Sequence, residues 1–339
     1  MELIHCYFIV NELDPNINPQ PGKKFPFDNI PPRLYVVIIL FVVFFTYQIL
    51  GGLISLSFVD MEDPAAGDKN LLRTVTAFSQ FMFMLFPVLM LSYLQGNRFD
   101  DVFKIKKPKA SIMFLSILGI ILIQPAIEAY MYFQNKLIYS LPLGETITTA
   151  LKEMDKMFEE LTLKLVASYS IPELLVVLFV IAVTPAICEE FFFRGLVLKN
   201  FERAFKAAPA ILYTGILFAI FHFHPLNIIP LILLGYFLTF IVHYSGSIFT
   251  GIVAHFINNS LAVLAIYFIG AENISEEVLS QGDETSMLIY GIVSLILFVL
   301  VLRLMKKISL SSQPQVVPEL TAEEVIEEIQ DKENSEDNE

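Results

Sequence analysis

Cysteine is almost missing from this chain, and tryptophan is missing altogether. Cys6 stands near the start and Cys188 inside an apolar segment, so nothing suggests a pair, a disulfide framework or a cysteine-based metal site. Charge is scarce too, at 17% of 339 residues, and ten of the 35 acidic residues fall between 319 and 339 beside a single lysine. The net charge of −13 is therefore mostly a property of that tail. With so little polar surface elsewhere, no nucleic-acid partner is expected. There is no Gly-rich phosphate loop and no Walker-type motif, which argues against a nucleotide-driven pump. No repeat of 20 to 50 residues is apparent. The opening MELIHCYFIV has neither a basic n-region nor a small-residue cleavage site, so no signal peptide is expected.

What the chain has in abundance is apolar residues, 55% of the total with 31 phenylalanines, far beyond a soluble domain of this length. Runs long enough to cross about 30 Å of hydrocarbon occur near 34–59, 72–95, 110–132, 171–194, 209–224, 226–245, 247–270 and 286–304. The expected fold is an all-α polytopic membrane protein of about eight transmembrane helices, with an intramembrane cavity where polar residues of separate spans meet. HFHPLNIIP, between the fifth and sixth runs, brings His224, Pro225 and Pro230 together and marks a tight reversal or a broken helix.

Loop charges alternate along the chain. Basic residues precede the first run (Lys23, Lys24, Arg33) and follow the second (Arg98, Lys104, Lys106, Lys107, Lys109), the fourth (Lys199, Arg203, Lys206) and the eighth (Arg303, Lys306, Lys307). Acidic residues follow the first (Asp60, Glu62, Asp63, Asp68) and the seventh (Glu272, Glu276, Glu277, Asp283, Glu284). The positive-inside rule then puts both termini in the cytoplasm of a multi-pass cell-membrane protein. The domain organisation reads as a cytoplasmic segment 1–32, a transmembrane domain 33–304 and an acidic, mostly disordered cytoplasmic tail 305–339. Segment 144–165 reads as an amphipathic helix on the outer side. In the tail, LTAEEVIEEIQ places Thr321 and Glu324 as a capping box.

The chemistry concentrates in CEEFFFRG, 188 to 195. On a helix Glu190 and Arg194 are i and i+4 and can neutralise one another. Glu189 is left without that partner, and an unpaired carboxylate at membrane depth marks a functional site by default. The fifth run adds His222, and the seventh adds His255 with Asn259 one turn on. Counting about 1.5 Å per residue from the helix ends puts all four near mid-membrane, in a cavity open to the cytoplasm. Other polar residues read more simply. His243 ends a span and packs or hydrogen-bonds there, His224 is interfacial, His5 is in the N-terminal segment, and Asn258 is a helix-packing amide turned away from Asn259.

EEFFFR, FAIFH and HFINN, in that order on three helices, resemble the E-E-x-x-x-R, F-x-x-x-H and H-x-x-x-N motifs of the CPBP family of intramembrane peptidases. That family includes the type II CAAX prenyl endopeptidases and bacterial proteins described as abortive-infection or bacteriocin-immunity factors. The resemblance covers about residues 170 to 270. It implies that Glu189 is a general base working with His222 on a water, that His255 and Asn259 donate to the developing oxyanion, and that Glu190 and Arg194 are scaffold. Glu189, His222 and His255 also form a His₂Glu set of the kind that holds catalytic zinc, so zinc is the one cofactor to weigh. The expected partners are the lipid bilayer and a membrane-associated peptide or protein substrate. Two other functions compete: a non-enzymatic binding or immunity protein, and a proton-coupled transporter using the same ionisable groups as a relay. No inverted repeat or paired broken helix supports the transporter.

Overall fold

The computed structural model describes residues 25–58, 68–142, 144–270 and 284–311, and no strand occurs among them. Among the described residues ten helices follow one another: α1 (Pro32–Ser55), α2 (Lys69–Leu94), α3 (Phe99–Phe103), α4 (Ala110–Ser140), α5 (Glu145–Val166), α6 (Ile171–Ala204), α7 (Ala207–Ile220), α8 (Pro225–Ser245), α9 (Ile248–Ile269) and α10 (Glu284–Leu310). Seven of these are long and apolar enough to cross a membrane. The exception among the eight apolar runs is α7, whose 14 residues rise only about 21 Å. Hydropathy reads on through Phe221 and Phe223, but the helix stops at Ile220. Phe223 takes a left-handed φ of +50° and Pro225 follows, so the chain reverses there.

Local chemistry sets the other boundaries. Asp68 caps α2 by accepting from the Asn70 and Leu71 amides, and Ser170 caps α6 by accepting from Glu173. Proline opens α1, α6 and α8, where its missing N–H costs nothing. Gly246 closes α8 in a left-handed conformation.

Helices α7 and α8 form a tight antiparallel hairpin, α10 packs on α4, and α9 runs between α4, α6 and α8. Gly215 and Gly235 let the α7 and α8 backbones touch: a Cβ on Gly215 would lie 2.6 Å from the Tyr236 nitrogen. The amphipathic α5 buries little beyond Val166. Its end is fastened by the fully buried Arg73 of α2, which donates to the Leu165 and Ala167 carbonyls and to Glu173. At the opposite end of the bundle Glu202 accepts from Lys104 at 2.8 Å and lies 2.7 Å from His243 Nδ1. Cys6, His5, Lys23, Lys24, the acidic loops at 60–63 and 272–283 and the capping box of the tail lie outside the described residues.

Candidate active site

Helix α6 carries the two glutamates, and it is not a uniform α-helix. It widens into π-helical turns over Phe179–Val183 and again over Glu190–Val197, with α-helical Thr184–Glu189 between them. Such turns recur at functional sites because they displace side chains from the regular 3.6-residue register. Pro185 contributes a second irregularity. Having no N–H, it cannot serve the carbonyl of Ile181 four residues back. Asn259 Nδ2, from α9, donates to that carbonyl at 3.0 Å. The same solution appears twice more: Thr46 Oγ1 donates to the Phe83 carbonyl, four residues before Pro87, at 2.6 Å, and Gln134 Nε2 donates to the Leu226 carbonyl, four before Pro230, at 2.7 Å.

Glu190 and Arg194 are both fully buried and bonded at 2.6 Å. Arg194 also donates to Thr239 Oγ1 at 3.3 Å and to the Gly235 carbonyl at 3.2 Å, and its guanidinium lies 4.4 Å from the centre of the Phe218 ring. The charge is thus neutralised and most of its donors are used, the conditions under which a buried ion pair is tolerated. Glu190 Oε1 additionally stands 3.0 Å from His255 Nδ1. Helix α9 can come this close because residue 251 is glycine. A Cβ there would sit 2.3 Å from Glu190 Oε2.

Glu189 Oε2 is buried and has no hydrogen-bond partner. It lies 4.0 Å from His222 Nε2 and 3.9 Å from His255 Nε2. The other nitrogen of each ring fixes its tautomer. His222 Nδ1 is 2.7 Å from the Phe218 carbonyl, which can only accept, and His255 Nδ1 faces the Glu190 carboxylate. In the neutral rings both Nδ1 atoms therefore carry the proton, and both Nε2 atoms, left as acceptors, lie about 4 Å from the same orphaned carboxylate oxygen. Three acceptors converge with no donor among them.

The donor types suit zinc, and the spacing is wider than a bound ion would set. Tetrahedral zinc with arms of about 2.0–2.1 Å sets its ligands about 3.4 Å apart. The observed separations are 3.9 and 4.0 Å, and among the described residues no group of three His, Cys, Asp or Glu side chains is placed to hold a metal. A water oxygen about 2.8 Å from each of two acceptors spans roughly 4 Å at a moderate angle, so the gap is of the right order for a bridged water.

The hydrogen bonds of Asn259 go to Ile181 and Asn258 and not to this cluster. One amide hydrogen goes to Ile181, and its Oδ1 accepts from Asn258 at 3.1 Å. Asn258 in turn accepts from Gln124 of α4 at 3.1 Å, so the amide read as simple helix packing is the middle of a polar chain. His224 stacks on Phe158 of α5, with ring centres 4.4 Å apart, and His243 belongs to the Glu202 cluster. Cys188 is a buried free thiol. Sequence reasoning missed Thr239, Gly235 and Gly251. Their only signal is small or hydroxylic character inside apolar spans, the composition expected where membrane helices approach closely.

Residues 171–261 match the family model described as "Type II CAAX prenyl endopeptidase Rce1-like". The matched segment contains Glu189, Glu190, Arg194, His222, His255 and Asn259. No curated protein and no solved structure matches the chain. Residues 171–261 of this multi-pass membrane chain are thus similar to the Rce1-like type II CAAX prenyl endopeptidases.

Proposed function

We propose that the chain hydrolyses a peptide bond of a membrane-associated substrate, lipidated peptides being the first class to try, with Glu189 and His222 holding and activating the attacking water. One observation carries the reading: Glu189 Oε2 is buried without a hydrogen-bond partner and faces the Nε2 atoms of His222 and His255 at 4.0 and 3.9 Å. A water in that gap gives one hydrogen to Glu189 and the other to a histidine nitrogen. As its oxygen attacks the scissile carbonyl, Glu189 takes a proton, which it then gives to the leaving nitrogen. The developing oxyanion is met by His255 Nε2 when that nitrogen is protonated, and by the amide hydrogen of Asn259 that Ile181 does not use. Glu190 keeps Nδ1 of His255 turned toward itself, so that Nε2 is left on the side of Glu189.

Charge alternation in the loops supports a cavity reached from the cytoplasmic side with both termini cytoplasmic. The test is cleavage of a quenched fluorescent lipidated peptide by detergent-purified wild type and Glu189→Gln, with the metal content of both determined by elemental analysis. Loss of cleavage in a folded Glu189→Gln protein is expected. Full cleavage by that variant refutes the assignment, and stoichiometric zinc in the active wild type refutes the water-only arrangement.

A further inference from the structure

His222 is not on a helix. It lies in the reversal that follows α7, where the chain cannot use the regular i to i−4 ladder. The reversal's own bonds are short-range: the amides of His222 and Phe223 reach back to Ala219 and Ile220, and Asn227 reaches His224. Phe223 meanwhile occupies the left-handed region, with φ +50°, which a bulky aromatic residue does not choose unaided. Something outside the segment has to hold it.

Two glutamines do. Gln48 of α1 donates from Nε2 to the Phe221 carbonyl at 2.6 Å, directly before His222. Gln134 of α4 donates from Nε2 to the Leu226 carbonyl at 2.7 Å, directly after Pro225. The residues four further on from these two carbonyls are Pro225 and Pro230, neither of which has an N–H to offer. Phe44, one turn before Gln48, adds ring contacts to Phe221 and Phe223 at 6.5 and 5.9 Å. The reversal is therefore gripped from both flanks by helices that lie outside residues 171–261, the matched segment.

We propose that Gln48 and Gln134 are positioning residues that clamp the Phe221–Asn227 reversal and so hold the His222 ring opposite Glu189. Helices α1 and α4 then belong to the working apparatus and are more than a lipid-facing jacket. The catalytic part of this inference rests on the proposed peptidase reading; the clamp itself does not. The bland competitor is that each glutamine only satisfies a buried carbonyl, a duty that any donor could perform.

The test uses full-length protein carrying Gln48→Met, Gln134→Met, and Gln134→Met combined with Pro230→Ala. Substituting Pro230 places a backbone N–H four residues after Leu226, which caps the carbonyl without tying the reversal to α4. Amide hydrogen exchange over 218–228 and the kinetics of lipidated-peptide cleavage are read together. The clamp predicts faster exchange in that segment for both single variants, with kcat down about ten- to a hundredfold and KM within about twofold. It also predicts that the Pro230→Ala combination recovers thermal stability but not kcat. Should Gln134→Met fail to fold, the combination is the protein to read. Unchanged exchange in the single variants overturns the proposal, and so does full recovery of kcat in the combination. If wild type shows no Glu189-dependent cleavage, the peptidase reading falls while exchange alone decides the clamp.

Discussion

Asn259 gives an amide hydrogen to the carbonyl of Ile181, to which Pro185, four residues on, has no N–H to offer. A proline in the span that carries Glu189 is thus paired with an asparagine of α9, three helices on in the chain and packed against it. The expected cost of Asn259→Ala is about 0.6–1.7 kcal/mol, the range of an interhelical hydrogen bond in a membrane. In a Pro185→Ala background, where a backbone N–H becomes free to serve Ile181, the same substitution costs less. Chemical denaturation of the four proteins in a double-mutant cycle measures the difference, and equal costs in both backgrounds would disconnect the two residues.

Gly251→Ala carries a larger penalty for a steric reason. The added methyl lies 2.3 Å from Glu190 Oε2 and 2.6 Å from a Val242 methyl, both in the packed interior. Overpacking of this kind costs about 1–3 kcal/mol, and it pushes α9 away from the carboxylate that holds His255. Gly52→Ala is the control, because its Cβ meets nothing within 4 Å. Thermal melts should show Gly251→Ala markedly destabilised and Gly52→Ala unchanged or slightly more stable. Equal melting temperatures would mean that α9 yields more readily than its close packing implies.

Much of this architecture is written in the hydropathy, because a helix that crosses lipid must be apolar for most of its length. Seven spans follow directly from that requirement. The fifth run misleads, since Phe221 and Phe223 extend it in composition while a positive φ and Pro225 end the helix at Ile220. The motifs put Glu189, His222 and His255 on three separate segments, and motif spacing alone calls for their meeting. What the spacing conceals is the support. Gln48 meets Phe221 across 173 residues, and Gly251 matters only through the carboxylate it lets in. Those relationships come from packing between distant helices, which no local pattern records. The π-helical turns were likewise not anticipated, although two of the four, at Gln80–Leu85 and Phe179–Val183, end just before a proline-containing turn.

The pair Glu190 and Arg194 is fully buried, so its two halves should not fail equally. Arg194→Met leaves a carboxylate with no cation in a low-dielectric interior, and breaking a buried pair in this way costs about 3–5 kcal/mol. Adding Glu190→Gln removes the stranded charge, and part of the loss should return. The double variant being less stable than Arg194→Met would show that Arg194 acts mainly through Thr239, Gly235 and Phe218, its other contacts.

His224 supplies a pH signature outside the spans. Burial holds its imidazole below the ordinary histidine range, with the Asp155 carboxylate pulling the other way and His222 adding a smaller push down. In the unfolded chain the same imidazole takes its proton near pH 6.5. As pH falls through that value the unfolded state gains a proton that the folded state does not yet accept, so stability declines, and it rises again as pH is raised. The melting temperature of wild type should therefore drop between about pH 7 and pH 5. His224→Gln keeps a polar side chain of similar reach beside Phe158 but cannot titrate, so its slope over that window should be shallower. An identical slope in both proteins would assign the pH dependence to other groups and return His224 to a purely stacking role against α5.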